Sequence, residues 1–112
     1  MTALLAFTAA QAATNYGINV GGQEVNSDNY NNVTGGSIMF YSGGYVSYNT
    51  STKVLTLHNV KISRSTDNDY AVHNRSVQGL SIVFSGTCDL ETRDHTLHFD
   101  KSTTVQVTAA AR

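Results

Sequence analysis

The stretch Lys53-Val54-Leu55-Thr56-Leu57-His58-Asn59-Val60-Lys61-Ile62 decides the fold class. Leu55 and Leu57 stand two residues apart, as do Val60 and Ile62. In an extended chain, residues two apart lie on one face, so each pair marks a half-buried strand. His58-Asn59 interrupts the alternation with a polar corner. The same motif returns downstream as Ile82/Phe84 with Cys88/Leu90, and again as Leu97/Phe99 with Val105/Val107.

Outward from these pairs, turn residues punctuate the chain at short intervals. Tyr16-Gly17-Ile18-Asn19-Val20 alternates, meets Gly21-Gly22 and continues as Gln23-Glu24-Val25, the pattern of a hairpin closed by a Gly-Gly turn. Ser37-Ile38-Met39-Phe40-Tyr41 and Tyr45-Val46-Ser47-Tyr48 read as strands on either side of Gly43-Gly44. Composition agrees. Asn, Ser and Thr make up 35 of the 112 residues, and there is no Pro or Trp. Short polar side chains compete with helical backbone hydrogen bonds, whereas Thr and the six Tyr suit strands.

A two-strand element bent at a polar corner and recurring along a chain describes the rung of a β-solenoid. The spacings are irregular, 27 residues from Leu55 to Ile82 and 15 from Ile82 to Leu97. The pattern therefore predicts an all-β chain, a short β-solenoid with an N-terminal hairpin. An antiparallel β-sandwich is the alternative, because it uses the same strands and turns.

Charge excludes several function classes. The net charge is −1 with histidines neutral, and only 13% of residues are charged. Neutralising a phosphate backbone needs clustered Lys and Arg, so no nucleic-acid partner is expected. Residues 1–13 carry a short apolar block, Ala3 to Ala10, and a small-x-small site, Ala10-Gln11-Ala12. They read as the remnant of a secretory signal peptide without its basic start. The block is too short to span a bilayer, so no membrane span is expected. Residues 14–112 then form a single β domain, on the solenoid reading the N-terminal part of a longer one. Secretion is the localisation these features lead one to expect.

The segment Tyr45-Val46-Ser47-Tyr48-Asn49-Thr50-Ser51-Thr52-Lys53-Val54-Leu55-Thr56-Leu57-His58-Asn59-Val60-Lys61-Ile62 resembles a recurrent pattern of secreted and surface proteins of gut Bacteroidales, the β-helix modules described as carbohydrate-binding-domain-like. Tyr16 to Val25 and Gly79 to Leu90 resemble the flanks of the same pattern. His58 departs from it, standing where Asn is usual. The resemblance implies that the solenoid is a short right-handed parallel β-helix, with a non-catalytic extracellular role and carbohydrate as the partner.

The candidate chemistry is sparse. Tyr41, Tyr45 and Tyr48 flank a glycine turn, and their rings could stack on sugar faces while their hydroxyls bond sugar oxygens. Asp67-Asn68-Asp69 offers oxygens to a hard cation but lacks the Gly and Glu of an EF-hand loop, so Asp67 and Asp69 are weak candidate ligands. In His95-Thr96-Leu97-His98 the two imidazoles diverge on a strand, which argues against a metal there. Asp89, Glu91, Asp94 and Asp100, with Arg93, are the acids and base that a polysaccharide-active enzyme would draw on, without a recognisable motif. Cys88 alternates with apolar neighbours and reads as a small core residue. The expected function is glycan binding or adhesion, with a structural stalk or capping module as the alternative and a polysaccharide lyase or hydrolase third. No catalytic residue, metal or cofactor is expected. Self-association through an open solenoid end is.

Overall fold

The structure is a computed structural model, and it describes residues 12–65, 70–93 and 95–108. The described residues form eight strands: β1 (Asn15–Val20), β2 (Gln23–Asn26), β3 (Ile38–Asn49), β4 (Val54–Arg64), β5 (Val72–Asn74), β6 (Leu80–Thr92), β7 (Leu97–Phe99) and β8 (Thr103–Val107). They form two four-stranded sheets, ordered β2-β1-β5-β7 and β3-β4-β6-β8. Among the described residues no helix is long and apolar enough to cross a membrane. The anticipated leader, residues 1–13, lies almost wholly outside the described residues, as do Asp67, Asp69 and Asp94.

The hairpin follows from its turn. Gly21 and Gly22 both have positive φ, 57° and 87°, which only glycine adopts without strain. The turn joins β1 to β2 in antiparallel register, Val20 against Gln23 and Ile18 against Val25. β5 then pairs antiparallel to β1, and β7 parallel to β5. In the second sheet β3 and β4 are antiparallel, while β4, β6 and β8 run parallel. After β4 the chain alternates between sheets, so successive visits to one sheet point the same way.

This architecture overturns the parallel β-helix. Both sheets are mixed, their N-terminal strands are antiparallel, and the strands do not close into a solenoid. The arrangement is sandwich-like, with mixed sheets where the alternative had purely antiparallel ones. The third supposed rung is also divided. Leu97 and Phe99 belong to the first sheet, beside Val72 and Asn74, whereas Val105 and Val107 stand next to Ile82 and Phe84 in the second.

The first two polar corners are irregularities inside the continuous strands β4 and β6, whereas the third, between Phe99 and Thr103, is the crossing from one sheet to the other. Asn59 has a φ of 51°, and the β4–β6 register shifts between His58 and Val60. The extra residue is on β6, where Gly86 and Thr87 stand against the single Asn59, and the left-handed backbone at Asn59 reverses the alternation of β4, so Val60 and Ile62 return to the face of Leu55 and Leu57. All four are fully buried. β3 bulges beside the same point, between Phe40 and Tyr45. Asn59 fastens the three strands together. Its Nδ2 donates to Ser42 O at 2.9 Å, and its Oδ1 accepts from Thr87 N at 2.8 Å.

One apolar core is shared by the sheets. Ile18, Val20, Val25 and Val72 come from the first, and Val46, Leu55, Leu57, Val60, Ile62, Leu80, Ile82 and Phe84 from the second. Cys88, Leu90, Leu97 and Phe99 pack half-buried against it. The Cys88 thiol points to Leu57 O and Ser85 O at 3.3 and 3.2 Å, which fits its reading as a core residue. Polar ties cross between the sheets. Arg64 Nη1, at the end of β4, donates to Gly21 O at 2.5 Å and Ser37 Oγ at 3.1 Å. The fully buried Asn74 donates to Thr103 Oγ1 at 2.9 Å.

Candidate functional site

The tyrosines do not share a surface. Tyr48 alternates with Val46 and is 5% exposed, its ring 5.6 Å from that of Tyr16. Burial, with a smaller contribution from Tyr16, pushes its phenol above the ordinary value of 10.0. Tyr41 and Tyr45 are exposed at the β3 bulge. The Tyr45 ring lies 5.2 Å from the His58 imidazole at 32°, and the Tyr41 hydroxyl donates to Asp89 Oδ2 at 3.3 Å. The separation was legible in the chain, since Tyr45 and Tyr48 differ by an odd number of residues within one strand. Beneath Tyr45, His58 Nδ1 and Ser85 Oγ are 2.7 Å apart. The backbone explains this contact, because His58 and Ser85 are register partners on parallel strands.

The carboxylates are dispersed. Asp89 and Glu91 are exposed on β6. Glu91 and Arg93 border a shallow concavity with Ser63, Arg64, Ser65 and Thr92. Asp100 follows β7 in the other sheet. Glycoside hydrolysis needs two acids flanking one bond, and Asp100 is directed elsewhere.

That direction defines a cluster. Val72 and Asn74 of β5 point inward, so His73 between them faces outward. Parallel pairing places His98 of β7 directly beside it. Asp100 is anchored by its backbone, whose N–H donates to Asn74 O at 2.8 Å. Its carboxylate accepts from both imidazoles, Oδ2 from His73 Nε2 and Oδ1 from His98 Nε2, each at 3.0 Å. The His73 hydrogen bond is the main reason the exposed Asp100 carboxyl sits below its ordinary value, and the charges of both histidines add to it. Tyr70 covers the group. Its ring stacks on His98 at 4.6 Å and meets His73 edge-on at 5.1 Å. His95 lies parallel to Tyr70 at 6.3 Å.

In sequence His98 stands three residues from His95, yet the structure joins it to His73, 25 residues away. Only the parallel return of the chain makes them neighbours, and no local spacing signals it. No protein-family model matches the chain, and neither a curated protein nor a solved structure does.

Proposed function

We propose that this chain is a non-catalytic structural module of a secreted or surface-displayed bacterial protein, which joins a further strand at the β8 edge. One observation carries the reading. Apolar columns run across the parallel strands of the second sheet, Leu55–Ile82–Val105 and Leu57–Phe84–Val107. The first two members of each column are buried, but Val105 is 39% and Val107 65% exposed. Among the described residues β8 ends the sheet order, so its outer backbone groups are free to pair. A strand edge with exposed valines is a template for strand addition. A strand from a second molecule, alternating apolar and polar, is the occupant that completes both columns. The surface placement rests on residues 1–13 and on the resemblance of residues 45–62.

Sedimentation of the full chain tests this. Association that grows with protein concentration, and is abolished by Val107→Lys without loss of thermal stability, is the expected result. A monomer at every concentration would overturn it. Glycan binding is the second reading, favoured by the exposed rings of Tyr41 and Tyr45 beside the bulge. It requires a polysaccharide that raises the melting temperature of the wild type and not of Tyr45→Ala.

A further inference from the structure

We propose that His73, His98 and Asp100 form a binding site for a divalent transition-metal ion of the Zn²⁺ class, which fastens β5 to β7. The ligand atoms, one from each residue, all lie within 4.8 Å of one another. Both Nε2 atoms already converge on the carboxylate at 3.0 Å. Two ligands at ordinary Zn²⁺ bond lengths in a tetrahedral shell are ~3.4 Å apart, so small side-chain rotations convert the hydrogen-bonded triad into a coordination shell.

The donor set selects the metal. Two imidazole nitrogens and one carboxylate suit zinc, copper or nickel, whereas calcium and magnesium require oxygen shells. Three protein donors leave one tetrahedral position for water or for a group from another molecule. The backbone holds the donors in place. His73 and His98 are register partners, and Asp100 is bonded through its N–H to Asn74 O. The Tyr70 ring restrains both imidazoles from one side. Metal binding through Nε2 takes each ring in the neutral form with its proton on Nδ1: a neutral imidazole that carried its proton on Nε2 switches tautomer, and an imidazolium releases its Nε2 proton to solvent.

The ion would act as a staple. β5 and β7 are three-residue strands, and their pairing spans three register positions. So short a ladder opens easily, and a bond that bridges it stabilises the native state in proportion to metal occupancy.

Calorimetric titration of untagged, chelator-treated full chain with zinc chloride tests the site. One Zn²⁺ per chain, a raised melting temperature and no saturable heat with calcium chloride are expected. His73→Gln and His98→Gln should each weaken binding at least about tenfold, while His58→Gln, in the other sheet, should leave it unchanged. Melting each variant in chelator checks that it folds. If a variant does not fold, the imidazole NMR signals of the wild type decide. Zinc should shift those of His73 and His98 among the four histidines. No saturable binding, undiminished binding in both variants, or shifts confined to other histidines would overturn the site.

Discussion

Replacing Asn74 should cost more stability than any exposed polar change, because its amide joins the two sheets from a fully buried position. Nδ2 donates to Val77 O at 2.8 Å and Thr103 Oγ1 at 2.9 Å, and Oδ1 accepts from Val77 N at 2.9 Å. Three bonds at about 1 kcal/mol each put Asn74→Ala at about 3 kcal/mol, or roughly a hundredfold in the unfolding constant. Thr103→Val breaks the bond to Asn74, and with it the Thr103 hydroxyl's donation to Lys101 O at the surface. It should cost about 1 kcal/mol. Asn74→Asp is the sharper perturbation, since it preserves shape and abolishes donation. The carboxylate would face Val77 O and the Thr103 oxygen, whose proton is already committed to Lys101 O. Burial raises the pKa of such a carboxyl, so this variant should be least stable at neutral pH and recover as acid neutralises it. Urea unfolding followed by circular dichroism measures all three. An Asn74→Ala loss under about 1 kcal/mol, or a neutral-pH Asn74→Asp indistinguishable from wild type, would refute the reasoning.

Two further substitutions probe the bulge and the core. Gly86 has a φ of 70°, and a Cβ there would run into Asn59 Oδ1, the acceptor for Thr87 N–H. Gly86→Ala should therefore lower the melting temperature more than Gly79→Ala, where φ is 82° but nothing lies within 4 Å. The latter carries left-handed backbone strain of about 1–2 kcal/mol alone, and equal costs would contradict the packing of the bulge. Burial raises the Tyr48 phenol above its ordinary value. The native state therefore holds that proton more tightly than the unfolded chain does. The stability it contributes is complete below pH 10.0, and is lost as pH rises through the raised native value. Alkaline unfolding followed by phenolate absorbance should show this loss in the wild type and not in Tyr48→Phe.

The chain itself determined what local chemistry can encode. Period-2 apolar pairs dictated strands and marked Leu57, Val60, Ile62, Ile82, Phe84, Cys88, Leu90, Leu97, Phe99, Val105 and Val107 as inward-facing; the first five are buried, Cys88, Leu90, Leu97 and Phe99 are half-buried, and Val105 and Val107 are exposed. Gly21-Gly22 specified the first hairpin through backbone freedom alone. The odd spacing of Tyr45 and Tyr48 already sent them to opposite faces. Alternation, however, names a buried face without naming the neighbour. A strand followed by a polar corner reads the same whether the chain turns there or, as at Asn59, runs on through a bulge. Tertiary structure therefore decided that the sheets are mixed, that Leu97/Phe99 and Val105/Val107 part company, and that Val107 ends its column in solvent. It also decided the meeting of His73, His98 and Asp100. Strand pairing rewards the burial and hydrogen bonds of the whole assembled core, and those energies belong to residues far apart in sequence. A histidine's nearest neighbour in space is fixed by the path of the chain between them.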